Sequence, residues 1–319
     1  MKCTVFSQDV TPVSHANFAC RRSHFLQKNS VMPFIRLLIM LVLASYGDAF
    51  GNSAPPISFG ELMQLKPDEI ARHDIGRLNL LCAQGLPGEY VDLGVELQTL
   101  DRWTEVVRQV TNQYMRRFRE HPEQFKYSEG YFRMVVLITV LQQDFRVGYN
   151  PARDSLPDKP EPGHIFFANS VDLFIHGLLD KRLGTCTSMP VLYVAVGRRL
   201  GYPLKLVAAK SHLFARWDAG DGKQFNIEGT NRGLVCHDDD YYKKWPRPMS
   251  EADLASGLYL KSMSPVEEVA GFLQTRGICL QVNGRYAEAK AAFDRAVELV
   301  PSSELHARFA NQELLTTKK

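Results

Sequence analysis

The segment that decides the fold is Gly184-Thr185-Cys186-Thr187-Ser188-Met189-Pro190, followed by the apolar run Val191-Leu192-Tyr193-Val194-Ala195-Val196. A loop gives way here to a helix, and the sequence predicts that Cys186 lies at the N-terminus of that helix. Unpaired backbone N–H groups and the positive end of the helix dipole favour the thiolate form of a cysteine at this place. Cys186 is therefore a candidate nucleophile.

Beyond Pro203 the apolar residues change from a helical to a β period. Three short runs, 204–207, 213–217 and 224–227, have the composition of strands. The turn residues at 218–222 predict that the last two strands pair as a hairpin. A helix that bears a thiol and packs on a small antiparallel sheet indicates an α+β fold.

Two candidate partners of Cys186 follow it on the predicted strands. His212 begins the second strand and Glu228 follows the third, so a nucleophile, a base and an orienting acid occur in a workable order. Asn226, on the same strand face as Glu228, is an alternative orienter, and Asp218 is a weaker one.

An oxyanion site would use the backbone N–H of Cys186 and one further donor, for which Asn169 is the candidate. The alternative role of Asn169 is structural, namely to fix the loop before the predicted helix at 171–179, which Ser170 is expected to cap.

The N-terminal segment 1–49 has the pattern of a secretory leader. Arg36 precedes a short apolar stretch at 37–44, and small residues stand at Gly47 and Ala49. Met32 is a possible true start. The apolar stretch is too short to span a bilayer comfortably, so we expect export to the periplasm or outside the cell. An uncleaved leader that anchors the chain to a membrane is the alternative.

The remainder is divided into three predicted regions: a helical region at 50–125, a core at 126–248 and a second helical region at 249–319. In the first, Asp101 is expected to cap a helix that ends at His121-Pro122. At the start of the core, Ser128 is expected to cap a buried helix running to Phe145. Four prolines lie within 148–163, which predicts a long exposed loop.

The net charge of the chain is +3. The predicted leader accounts for all of it with five basic and two acidic residues: Lys2, Arg21, Arg22, Lys28, Arg36, Asp9 and Asp48. The rest of the chain is formally neutral and has no basic and aromatic patch, so nucleic acid is not an expected partner.

Four cysteines remain outside the leader, and none forms a CxxC pair. A nucleophilic Cys186 must stay free, so at most one disulfide can form among Cys82, Cys236 and Cys279. The run Cys236-His237-Asp238-Asp239-Asp240 places its ligands consecutively, where they cannot easily converge on one metal ion. It is typical instead of an acidic helix start, and neither a metal nor another cofactor is expected.

Residues 270–301 carry small and aromatic residues at the spacing of a tetratricopeptide repeat: Gly277, Leu280, Ala289, Phe293, Ala296 and Pro301. One such repeat cannot bury its own apolar face, so it must pack on the rest of the chain or on a partner. An ordinary helical hairpin is the alternative.

The segment from Asn169 to Gly233 resembles the transglutaminase-like superfamily, which shares a papain-like core, and within it the bacterial SirB-type proteins that add tetratricopeptide repeats. The resemblance is carried by short motifs: Asn169-Ser170, Arg182-Leu183-Gly184, Leu192-Tyr193-Val194-Ala195, Arg198 to Leu204, His212 to Arg216 and Glu228-Gly229-Thr230-Asn231. Many SirB-type members have proline where this chain has Cys186, and the acid of the wider superfamily is usually Asp.

The resemblance implies a thiol enzyme that acts on an amide bond of a peptide or protein through Cys186, His212 and Glu228. The second hypothesis is a binding module, in which the core is a scaffold and the C-terminal repeat binds a protein partner. The two differ in whether the thiol lies beside the His212 ring or is sealed under Tyr193 or Phe214.

Overall fold

The computed structural model describes residues 57–153 and 167–301, which form helices around a three-stranded antiparallel sheet. The predicted leader at 1–49 and the first residues of the predicted helical region, up to residue 56, lie outside the described residues. So do most of the predicted loop at 148–163 and the end of the second predicted helical region, from residue 302 onward.

The N-terminal region is helical. Its elements are α1 (Phe59–Leu62), α2 (Pro67–Ile70), α3 (Ile75–Ala83) and the long α4 (Leu93–Glu120), followed by a 3₁₀ turn at Pro122–Phe125. The predicted cap at Asp101 is wrong, because α4 begins two turns earlier. The side chain of Asp92 accepts from the N–H groups of Gly94 and Val95 and starts the helix there.

The next region leads to the thiol. Its elements are α5 (Glu129–Thr139), which continues as a π-helical turn at Val140–Asp144, then β1 (Gly148–Tyr149), α6 (Ser170–Leu173), α7 (Ile175–Asp180), β2 (Leu183–Gly184) and α8 (Met189–Arg199). Ser128 caps α5 by accepting from the Tyr131 N–H, as predicted. The single helix predicted at 171–179 is instead two, because Phe174 has an extended backbone.

The sheet order is β3 (Leu204–Ala209), β4 (His212–Asp218), β5 (Gln224–Ile227), with both pairs antiparallel. The predicted hairpin of the last two strands is present. A segment after the sheet runs along the free edge of β3, where the Leu260 N–H donates to the Ala208 carbonyl and the Met263 N–H to the Leu206 carbonyl. Strands β1 and β2 form a separate parallel pair. A small antiparallel sheet beside many helices agrees with the α+β class.

The chain continues through two short helices, α9 (Asp239–Tyr242) and α10 (Glu251–Ala255), and ends in an antiparallel pair, α11 (Pro265–Val282) and α12 (Tyr286–Leu299). Gly277 on α11 lies under the ring of Phe293 on α12, where no side chain would fit. The pair packs on the N-terminal region through Arg276, which donates to the carbonyls of Cys82 and Gln84.

Helix α8 is the centre of the molecule, since all its residues from Met189 to Gly197 are buried. Helices α3, α4, α5 and α7 pack around it on one side and strands β3 and β4 on the other. The predicted helical region and the predicted core thus share one interior, and the boundaries between them stay predictions. Among the described residues, no helix is long and apolar enough to cross a membrane.

Candidate active site

Cys186 lies in the helical turn that opens α8. The Met189 N–H donates to the Thr185 carbonyl, which closes the first turn around the cysteine. The regular α-helix begins only at Met189, because Pro190 has no N–H to continue the hydrogen-bond pattern from Cys186. The placement expected from the sequence is therefore right to within one turn.

Side-chain hydrogen bonds hold the turn that contains Cys186 in place. The Thr185 hydroxyl donates to the carbonyl of the buried Asp172, and the Thr185 N–H donates to the Ser188 hydroxyl. The Asp172 carboxylate accepts in turn from Arg153 and Asn150. These bonds fix the backbone on both sides of Cys186, whose side chain is half-buried rather than sealed.

The His212 ring lies between the thiol and a carboxylate. Its Nε2 is 2.8 Å from Oε2 of Glu228. The Cys186 side chain lies near enough to the ring to contribute to its raised pKa. Because Nε2 is engaged by the acid, Nδ1 is the nitrogen left for the sulfur. The structure therefore brings together Cys186, His212 and Glu228, which the sequence places on a helix start and beside two strands.

Glu228 is buried, and each of its two carboxylate oxygens accepts two hydrogen bonds. Oε2 accepts from His212 and from the hydroxyl of Tyr242, at 3.0 Å. Oε1 accepts from the N–H and the hydroxyl of Thr230, at 3.0 and 2.7 Å. A carboxylate with four donors is held in one orientation and is stabilised in its charged form.

The pKa shifts follow from these contacts. Burial alone lowers the pKa of His212, but the hydrogen bonds and charges of Cys186 and Glu228 outweigh it and raise that pKa to about 9. Burial alone raises the pKa of Glu228, but the bonds from His212 and Thr230 outweigh it and lower that pKa. At neutral pH His212 is therefore an imidazolium beside a carboxylate.

Aromatic rings enclose the pair. The Tyr242 ring stacks on Phe214, with centroids 3.8 Å apart, and lies nearly parallel to the His212 ring. The Trp245 indole meets the His212 ring edge-on at 4.7 Å and is 38% exposed. Low polarity on these sides strengthens the electrostatic interactions of the ring.

Asn226 does not bond to His212. Its Oδ1 accepts from Arg216, and its Nδ2 donates to the His237 carbonyl and to Asp239. Arg216 also donates to Asp239. Asn226 thus fastens the start of α9 to the sheet, and it does not take the place of Glu228 as the orienter of His212. The weaker alternative, Asp218, accepts from Ser262 and Gly220 instead.

Asn169 caps α6, since its Oδ1 accepts from the Val171 N–H. This is the structural role that the sequence offered as the alternative to an oxyanion donor. It also replaces Ser170 as the capping residue. Within the described residues, the Cys186 N–H donates to no protein acceptor, so it stays available to an oxyanion.

Gln142, on the π-helical turn, holds the loop that follows Glu228. Its Nε2 donates to the Tyr193 hydroxyl and the Asn231 carbonyl, and its Oε1 accepts from the Gly233 N–H. The Tyr193 hydroxyl donates to the Gly229 carbonyl. π-Helical turns are frequent at functional sites, and this one aims a side chain at the acid-bearing loop.

The other described cysteines have no such setting. Burial raises the pKa of Cys82 to about 12, that of Cys279 to about 11 and that of Cys236 above its usual range. All four described cysteines are free thiols. In the described part of the chain, no group of three or more His, Cys, Asp or Glu side chains is placed to hold a metal ion.

Sequence reasoning missed Thr230, Gln142, Tyr242 and Trp245. Thr230 had a local signal, because a hydroxyl two residues after an acid can bond back to it. The others had none, since their proximity to Glu228 and His212 arises from chain segments far apart in sequence.

Comparison with known proteins gives a family for part of the chain. Residues 164–270 match the family model described as the transglutaminase-like superfamily. A segment of 54 residues is 41% identical to F-box only protein 21 of Mus musculus and 39% identical to that of Homo sapiens. The segment covers 17% of this chain and 9% of either relative.

A crystal structure of menin is similar at a TM-score of 0.33 and 13% identity, covering 78% of this chain and 58% of that chain. The family match covers Cys186, His212 and Glu228 alike. The region from residue 164 to residue 270 is therefore similar to the transglutaminase-like superfamily.

Proposed function

We propose that this protein is a thiol enzyme that opens an amide bond of a peptide or protein by acyl transfer to Cys186. The observation that carries the proposal is the buried His212 ring, which lies 2.8 Å from the Glu228 carboxylate and near enough to the Cys186 side chain for the thiol to contribute to its raised pKa. A nucleophile, a base and an orienter in hydrogen-bond reach of each other are what such chemistry requires.

In the first step His212 holds the proton of Cys186, and the thiolate attacks the amide carbonyl carbon. The carbonyl π electrons move to oxygen, and the Cys186 N–H donates to the resulting oxyanion. His212 then gives its proton to the amide nitrogen, the C–N bond breaks, and an amine leaves behind a thioester on Cys186.

In the second step water or an amine attacks the thioester. His212 takes the proton of the attacking group, the C–S bond breaks, and the thiolate is restored. Hydrolysis and transfer differ only in which nucleophile reaches the acyl group. Glu228 keeps Nε2 of His212 protonated and Nδ1 turned to the sulfur throughout, which is the orienting role of the acid.

Alkylation by iodoacetamide, followed by mass spectrometry, tests the proposal without a known substrate. Cys186 should be modified first, because the other described thiols have raised pKa values. His212→Gln should slow its modification at pH 7 by about 100-fold, the scale of a lost acid–base partner. His237→Gln is the matched control, since that half-buried ring stacks on Tyr241.

Activity completes the test. A peptide mixture with a fluorescent primary amine should be hydrolysed or labelled by the wild type and not by Cys186→Ser. If Cys186 reacts no faster in the wild type than in His212→Gln, the thiol enzyme is refuted.

The second candidate is a protein-binding scaffold with the same core. The observation that favours it is the burial of His212 and Glu228, which a structural hydrogen-bonded pair would also show. Recovery of one protein partner by wild type and Cys186→Ser alike, with no reaction at the thiol, would select it.

We further propose the finer features of the sequence prediction. These are a SirB-type relationship, a repeat-like pair α11 and α12 that binds a protein partner, and export with removal of the leader. The close approach of α11 and α12 at Gly277, which lies under the Phe293 ring, supports the repeat. N-terminal sequencing of secreted protein tests export, since an intact residue 1 would contradict it.

A further inference from the structure

The acid of the site has a second neighbour that no sequence pattern assigns. The Tyr242 hydroxyl donates to Oε2 of Glu228, the same oxygen that accepts from His212. The tyrosine is completely buried, so its hydroxyl has no water to bond with instead. Burial and the charge of Glu228 both raise the pKa of Tyr242, so it remains a proton donor at any physiological pH.

The surroundings of Tyr242 hold its hydroxyl against Glu228. Tyr242 ends α9, whose start is fixed to the sheet because Asp239 accepts from both Arg216 and Asn226. The tyrosine ring is in turn stacked on Phe214, two residues beyond His212 on β4. Its hydroxyl therefore cannot move away from Glu228 without disturbing either packing or this network.

We propose that Tyr242 is a positioning residue that keeps Glu228 charged and aims its Oε2 at His212. Two donors on one carboxylate oxygen and the two of Thr230 on the other define a single orientation of the group. The inference rests on the proposed function, because a positioned acid matters only if His212 serves Cys186.

Charge is the reason that the acid needs this support. A carboxylate and an imidazolium in a low-polarity site can neutralise each other when the proton moves to the carboxylate. Every donor to Glu228 stabilises its ionised form and opposes that transfer. Loss of the Tyr242 hydroxyl removes one of four donors and leaves the ring in place.

The experiment compares Tyr242→Phe with Tyr241→Phe, the neighbouring tyrosine on the same helix. Carboxyl-¹³C NMR of glutamate-labelled protein, with Glu228 assigned by its absence in Glu228→Gln, follows the titration of this group. Tyr242→Phe should raise the pKa of Glu228 by about 1 to 2 units, the value of one hydrogen bond to a charge. Tyr241→Phe should leave it unchanged.

Alkylation of Cys186 gives a second measurement. Tyr242→Phe should slow it at pH 7, and the slowing should vanish in a Glu228→Gln background, where the tyrosine has no charge to stabilise. Equal Glu228 titration in Tyr242→Phe and Tyr241→Phe overturns the inference even if the protein is an active enzyme. A titration shift in a protein whose Cys186 reacts no faster than in His212→Gln would refute the enzyme and leave Tyr242 only as a support of the Glu228 charge.

Discussion

At the scale of single residues, the site depends on the protonation of His212, which is favoured by both the Cys186 thiol and the Glu228 carboxylate. The His212 ring is buried, yet its pKa is raised to about 9 because Cys186 and Glu228 both favour the imidazolium. The same ring in an unfolded chain has an ordinary pKa of 6.5. Folding and protonation of His212 are therefore linked.

This linkage predicts how stability changes with pH. The contribution of His212 is fully present below pH 6.5 and is lost as pH rises through 9. It amounts to at most about 3 kcal/mol, from the difference between the two pKa values. Glu228, with its lowered pKa, contributes above its ordinary value of 4.5 and loses its contribution in more acidic solution.

Urea unfolding between pH 6 and 9.5 measures the effect as a difference between wild type and His212→Gln. The fall in the free energy of unfolding over this window should be smaller in the variant. His237→Gln is the control, because burial lowers the pKa of His237 and its effect lies at lower pH. A wild-type slope equal to that of His212→Gln would contradict the raised pKa.

At the scale of elements, the sequence predicted those parts whose signal is local. Ser128 caps α5, and the hairpin of β4 and β5 forms where its turn residues stand. Asp101 has a side chain that can cap a helix, yet it lies inside α4. Leu100 beside it is buried, and the helix begins after Asp92. Tertiary burial decided this boundary, which propensity alone could not predict.

The residues of the site also divide into those with a local sequence signal and those without one. Cys186, His212 and Glu228 could be proposed because each has a recognisable neighbourhood in sequence. Tyr242 and Gln142 could not, because their partners lie 14 residues or more away and only the packed sheet brings them together.

The pair α11 and α12 supplies a test at this scale. A Cβ added at Gly277 would lie 2.3 Å from the Phe293 ring, whereas one added at Gly271 would meet only Met263 at 3.7 Å. Gly277→Ala should lower the free energy of unfolding by about 1–3 kcal/mol through overpacking. Gly271→Ala should raise it by about 0.5–1 kcal/mol, since alanine favours helix.

Both variants are compared by urea unfolding. They lie on one helix and make the same chemical change, so helix propensity cannot explain an opposite sign. Equal effects would show that the close approach of α11 and α12 is not needed.

At the scale of the whole molecule, an ion pair between the partly exposed Arg198 and the buried Glu268 joins the C-terminal pair of helices to α8. Arg198 on α8 donates twice to the carboxylate of Glu268 on α11, at 2.8 and 2.6 Å. Arg198 also donates to the Leu204 carbonyl at the start of β3. The Arg198 guanidinium thus links α8 to strand β3 and to α11.

Removal of the acid should affect the entire fold. Glu268→Ala leaves Arg198 without its counter-charge and should cost about 3 kcal/mol or more. Asp294→Ala, which breaks the exposed pair with Lys290 on α12, should cost less than about 1 kcal/mol. A single cooperative transition at lower urea concentration is expected, and loss of α11 and α12 in a separate early step would contradict it.

The backbone bonds from Leu260 and Met263 to β3 have a consequence for solubility. An uncovered strand edge offers unpaired N–H and C=O groups to any other chain, and such edges start ordered aggregates. Here the chain covers that edge with its own backbone before it enters α11. The protein thereby protects the β3 edge of the sheet from pairing with a second copy.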